Sequence, residues 1–107
     1  MTKYEKLTAD LKQAIESAKA VSNSEDGGSC NYDSLELVLP YWNTEKAESA
    51  IESAGLHSFT HVRWGARLFI ISVPFGGQGN RRTQQAEAMA KSMRDVGYEA
   101  SVWYQMD

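Results

Sequence analysis

The chain has 107 residues, room for one domain of ordinary size. Its composition, 42% hydrophobic, 10% aromatic and 23% charged, excludes a mainly disordered chain. The longest apolar run, Leu68 to Val73, is broken by Ser72 and falls well short of the about 20 residues of a membrane span. The opening Met1-Thr2-Lys3-Tyr4-Glu5 lacks the apolar stretch of a secretory signal, so the expectation is a cytoplasmic protein with no membrane partner. A single cysteine, Cys30, excludes an internal disulfide and a multi-cysteine zinc site. The net charge is −3, unevenly spread: no Asp or Glu lies between Glu52 and Glu87, a stretch carrying Arg63, Arg67, Arg81 and Arg82. Such segregation can orient a charged partner.

Residues 3–22 predict an amphipathic helix, since Tyr4, Leu7, Leu11, Ala14, Ala18 and Val21 recur at spacings of three and four. An isolated helix of this length is marginal in water, so its stripe needs a partner surface. Residues 23–33 are polar and glycine-containing and read as a linker, which makes 1–22 a candidate arm and 34–107 an α+β domain. Leu35, Leu37 and Leu39 alternate with Glu36 and Val38 as in a strand with one apolar face, ended by Pro40. Asn43 is placed to cap a helix with Glu45 in its first turn and Gly55 just past its end. That helix buries Ala47, Ala50, Ile51 and Ala54 and turns Glu45, Glu48 and Glu52 to another face.

Two strands follow, over 57–64 and 67–73, joined at Gly65-Ala66; the second is the most apolar and should be central. A stripe of Ala86, Met89, Ala90 and Met93 marks a helix ending near Gly97, and 98–105 reads as a last strand. The order is a ferredoxin-like split β-α-β-β-α-β antiparallel sheet with an additional N-terminal helix, an α+β class. Right-handed crossovers place the first and third strands in the centre. The extra helix is free to cover the other sheet face.

Gly76-Gly77-Gln78-Gly79-Asn80-Arg81-Arg82-Thr83 joins a strand to a helix. Glycines let a ligand approach the backbone, helix-start N–H groups attract anions, and arginines pair with phosphate or carboxylate. Gly76, Gly77, Gly79, Asn80, Arg81 and Arg82 are therefore candidates for an anion- or partner-binding loop, although the segment is neither a P-loop nor a dinucleotide fingerprint. The alternative is a plain connection with a capped helix start. His57 and His61, four apart on one strand, are separated by about 13 Å and cannot share a metal. No metal, cofactor or catalytic residue is expected, because no nucleophile and base occur in a recognisable arrangement. The acidic spacing of Glu45, Glu48 and Glu52 suits a solvated helix face. Trp42, Trp64, Trp103 and Tyr104 are divided between core packing and a surface contact.

The segments Cys30-Asn31-Tyr32-Asp33-Ser34, Leu39-Pro40-Tyr41-Trp42-Asn43, Gly76 to Thr83 with Ala86-Glu87-Ala88-Met89, and Trp103-Tyr104-Gln105-Met106-Asp107 resemble small uncharacterised proteins of bacterial prophages and mobile elements. The resemblance spans about residues 30–107 and brings no active site with it. It implies a non-enzymatic protein that binds host machinery, such as a nucleic-acid-processing complex, with anti-CRISPR inhibitors of defence nucleases as one example. Partner contacts are then expected at Arg63, Arg67, Glu45, Glu48, Glu52 and Trp42. The competing expectation is a nucleic-acid or nucleotide phosphate-binding module built on the Gly76–Thr83 loop. A homodimer through the N-terminal stripe or an open sheet face fits beside either.

Overall fold

A computed structural model describes residues 2–21, 33–63, 66–75 and 80–104 of the chain. Its elements are α1 (Lys3–Val21), β1 (Ser34–Val38), α2 (Thr44–Ser53), β2 (Ser58–Arg63), β3 (Ala66–Ile71), α3 (Asn80–Asp95) and β4 (Glu99–Trp103). The fold is α+β: three helices and one antiparallel four-stranded sheet in the order β2-β3-β1-β4. β1 and β3 occupy the centre.

Local chemistry accounts for where the helices start and stop. Thr2 and Glu5 form a capping box on α1: the Thr2 hydroxyl accepts from the Glu5 N–H, and the Glu5 carboxylate accepts from the Thr2 N–H, each at 3.1 Å. Asn43 caps α2 by accepting the Lys46 N–H at 2.9 Å. Both α2 and α3 end in Schellman turns that need a left-handed residue just past the helix. Gly55 (φ 88°) and Gly97 (φ 102°) supply it. The Leu56 N–H returns to the Ile51 oxygen at 3.2 Å and the Tyr98 N–H to the Met93 oxygen at 3.0 Å. This second closure consumes Tyr98, so β4 starts at Glu99 rather than at 98 as the sequence suggests.

Alternation along the strands then sorts the core. Leu35, Leu37, Leu39, Phe69 and Ile71 pack with Ala47, Ala50 and Ile51 of α2 and with Met89, Ala90 and Met93 of α3. Leu7, Leu11, Ala14 and Ala18 of α1 join this same cluster and are fully buried. α1 lies chiefly along α3 and also along α2. The expectation that this helix is free to cover the opposite sheet face is therefore corrected: all three helices share one face. Two polar ties hold it there. The Thr8 hydroxyl donates to the Ala50 oxygen at 2.9 Å, and the Tyr98 phenol donates to Asp10 Oδ2 at 2.8 Å. Of the expected linker over 23–33, only Asp33 falls within the described residues, and it is buried.

On the other face, Leu68 and Ile70 remain buried, and the rings of His61 and Trp103 meet edge-on at 5.3 Å. Among the described residues, no helix is long and apolar enough to cross a membrane.

Because α1 contributes four fully buried side chains to the common core, it should unfold with the sheet. Leu11→Ala is expected to cost about 3 kcal/mol in urea denaturation, within one transition for helix and tertiary signals. A separate early helix transition, with the main midpoint unchanged, would show instead that α1 is an independent arm.

Candidate functional site

The sequence-predicted residues do not converge. Gly76, Gly77 and Gly79 lie outside the described residues, as do Cys30 and Trp64; for Asn80 and Arg63 only the backbone is described. Arg81 and Arg82 stand at the start of α3, beside the beginning of β1. There Arg82 Nε donates to the Asp33 backbone oxygen at 3.0 Å, and the Thr83 hydroxyl donates to Asp33 Oδ2 at 2.7 Å. Buried Gln85 accepts the Phe75 N–H at 3.0 Å and donates to the Arg81 oxygen at 3.4 Å. These bonds staple the start of α3 to Asp33 and Phe75, giving Arg82 and Thr83 a structural task. Arg81 Nε is buried and has no hydrogen-bond partner among the described residues.

Arg67 lies at the other end of the sheet, where β3 leaves its hairpin. The acid-free stretch thus distributes its arginines to two ends rather than one patch. On α2, Glu45 and Glu52 are exposed and Glu48 is half-buried. Among the described residues, no three His, Cys, Asp or Glu side chains cluster as metal ligands.

The sequence-predicted residues that the fold does bring together are Trp42 and Arg67. Pro40 ends β1 and begins a tight turn closed by the Trp42 N–H on the Leu39 oxygen at 3.4 Å. Proline at the second position suits the turn, but the third position adopts a positive φ, a place normally given to glycine. Tyr41 occupies it with φ 66°. A bulky residue there is strained by about 1–2 kcal/mol. Its side chain recovers none of this from packing, for Tyr41 is 102% exposed relative to an isolated residue.

Around this turn the fold assembles aromatic rings and cations. Trp42 packs edge-on against Tyr4 at 5.1 Å and lies 6.5 Å from Tyr98. Lys3 Nζ sits 4.8 Å from the Trp42 ring centre, Lys46 Nζ 5.8 Å from that of Tyr4, and Lys6 Nζ 5.1 Å from that of Tyr98. Lys6 is also paired with Asp10 at 2.6 Å. The Tyr4 phenol accepts the Asn43 N–H at 3.0 Å, and Arg67 donates to the Thr44 hydroxyl, so α1, the turn and the hairpin are tied to the start of α2.

Two grooves flank the turn. One, of about 450 Å³, is lined by Val38, Leu39, Pro40, Tyr41, Trp42, Val62 and Arg67, with no acidic side chain. The other, of about 360 Å³, shares Val38, Leu39, Pro40 and Trp42 with it and adds Lys3, Lys6, Tyr98 and, as its one acid, Glu99. Tyrosine, tryptophan and arginine around an apolar floor are the side chains that dominate protein interfaces. Sequence reasoning missed Tyr41, Lys3, Lys6 and Lys46. The available signal was Leu39-Pro40-Tyr41-Trp42 immediately before a helix cap, but a proline turn alone does not reveal which residue takes the positive φ.

No family model, curated protein or solved structure matches the chain.

Two outcomes are expected from these contacts. Tyr41→Gly relieves the strained φ and, after the entropy cost of glycine, raises stability by about 0.5 kcal/mol in thermal unfolding. A loss of stability would mean that the Tyr41 ring supports the fold. Burial, followed by the hydrogen bond to Asp10 and its negative charge, raises the Tyr98 phenol above the usual tyrosine range. The folded state thus favours the protonated phenol. Its stabilisation is full below the unfolded-state value near pH 10 and declines as the pH rises beyond it. Tyr98→Phe should cost about 1 kcal/mol at neutral pH and flatten the alkaline decline in a series of urea melts. An unchanged alkaline slope would count against the Tyr98–Asp10 contact as its source.

Proposed function

We propose that the protein is a non-enzymatic interaction protein whose basic, aromatic end receives an acidic, partly apolar segment of a protein partner. The observation that carries this reading is Tyr41, a fully exposed aromatic residue held at a strained φ beside grooves that contain Trp42 and Arg67. Strain without packing compensation is typical of residues retained for binding. The charges favour an acidic segment: Arg67 borders the larger groove, and Lys3 and Lys46 stand over the neighbouring rings. An apolar side chain of the partner would lie on Val38, Leu39 and Val62, and its carboxylates would meet Arg67 and the lysines. Electrostatic steering of this kind makes association sensitive to salt.

A nuclease inhibitor is one form of this reading, in which the acidic segment belongs to a nucleic-acid-processing complex; it rests on the sequence resemblance alone. We also propose that the domain is ferredoxin-like. The support is the β-α-β-β-α-β element order after α1 together with the central placing of β1 and β3. The phosphate-loop reading keeps one supporting observation, the buried Arg81 Nε, which has no hydrogen-bond partner among the described residues. It is weakened because Arg82 is already bonded to Asp33.

Selection from a displayed library of random linear peptides tests the proposal. Enriched peptides should carry Asp or Glu around an aromatic or large aliphatic residue. Their affinity should fall at least tenfold with Arg67→Glu or Tyr41→Ala, while Arg81→Ala leaves it unchanged, and it should weaken with added salt. Enrichment without acidic residues, or binding that depends on Arg81 and not on Arg67, would overturn it. A labelled single-stranded oligonucleotide run in parallel should not bind; binding abolished by Arg67→Glu would reassign the surface to nucleic acid.

A further inference from the structure

The free edge of β2 has the composition and the hydrogen-bonding phase of a pairing strand. Among the described residues, β2 is the outermost strand next to β3, and α2 touches it lightly from the helical layer. The Ser72 N–H donates to the His57 oxygen at 2.9 Å, in phase with the register that pairs Phe59 with Ile70 and His61 with Leu68. Hydrogen bonding alternates along an antiparallel ladder. His57, Phe59 and His61 therefore bond inward to β3, while Ser58, Thr60 and Val62 turn their N–H and C=O groups outward.

Natural edge strands are usually guarded by proline, lysine or inward-facing charge. Between His57 and Val62 there is no Pro, Lys, Arg, Asp or Glu. Phe59 and Val62 instead expose 54% and 63% of their surface, on opposite faces of the strand. The opposite edge, β4, is treated differently: α3 packs along it and it carries Glu99.

We propose that β2 pairs antiparallel with β2 of a second copy of the chain, joining two sheets into one of eight strands. The two-fold axis passes through Thr60. Directly opposed residues in an antiparallel pair must project to the same face, which allows only registers centred on an odd or even residue rather than between two. Centring on Thr60 opposes Thr60 with Thr60, Ser58 with Val62 and Phe59 with His61. This register uses all three outward-facing residues and forms about six hydrogen bonds between the copies. Centring on His61 loses the contribution of Ser58 and opposes Phe59 with Arg63. The Thr60 register also places the aromatic ring of Phe59 against the imidazole of the second copy, with His57 opposite Arg63 at each end of the pair.

This self-complementarity is what selects a second copy over a foreign strand. The antiparallel arrangement sends the two aromatic ends away from each other, and Val62, which also lines the larger groove, is the residue that the pairing shares with the acidic-segment reading.

Sedimentation equilibrium combined with amide hydrogen exchange on the full chain tests the proposal. The expected result is a reversible dimer in which the amides of Ser58, Thr60 and Val62 gain at least tenfold protection as protein concentration rises. Phe59→Lys/Thr60→Lys replaces two exposed side chains outside the grooves, so it should keep the wild-type far-ultraviolet spectrum while becoming monomeric and losing that protection. A wild-type chain that stays monomeric across the concentration range would overturn the proposal. So would a dimer whose Ser58, Thr60 and Val62 amides exchange as fast as in the monomer, or one that survives the double lysine change.

Discussion

The burial of one side of α1 against α3 and α2 is the contact on which the rest of the molecule depends. Leu7, Leu11, Ala14 and Ala18 complete a core that β1, β3, α2 and α3 share, and they fix the direction in which α1 points. Its first turn therefore arrives beside the Leu39–Trp42 turn. There Tyr4 reaches the Asn43 N–H and the Trp42 ring, and Lys3 takes its place over Trp42. Without α1 the turn would lose a hydrogen-bond acceptor, an aromatic neighbour and a cation together. Stability and the candidate binding surface are thus built by one packing event.

The two ends of the sheet do different work. At the start of β1, Asp33, Arg82, Thr83 and Gln85 satisfy one another or nearby backbone, and this network anchors the beginning of α3. Buried polar groups are costly unless paired, so such a network serves to fix one arrangement of the chain. At the end of β1 the polar groups tie elements together only around the margin. The centre is left to exposed aromatic and aliphatic surface, with Tyr41 strained and unpacked. The fold thus bonds its polar groups at one end and displays rings and cations at the other, and the proposed contact surface rests on that contrast.

Much of the fold was legible from residue spacing. Leucines at 35, 37 and 39 showed one apolar face for β1, the run around Phe69 marked a central strand, and Asn43 and Gly55 bracketed α2 as the structure has it. Spacing could not reveal on which surface α1 would pack, because an amphipathic stripe states only that a partner is needed. The candidate site was legible only in part. Trp42 and Arg67 were singled out separately, and their meeting depends on the β2–β3 hairpin returning beside the Pro40 turn. Tyr41 was invisible for a local reason: its positive φ breaks the preference that would have put glycine there. The glycine-arginine loop drew attention by its composition, yet the bonds of Arg82 and Thr83 to Asp33 come from residues about 50 positions apart, a pairing no local pattern encodes.

The central claim is that the end of the fold around Tyr41 is the surface that binds. Its most direct test is a two-dimensional amide nuclear magnetic resonance titration with an acidic peptide selected on the protein. Binding at this end would shift Lys3, Tyr41, Trp42, Val62 and Arg67, leaving Arg81 to Gln85 in place. Shifts concentrated at Arg81 to Gln85, or spread along Glu45, Glu48 and Glu52 with the turn unmoved, would contradict it.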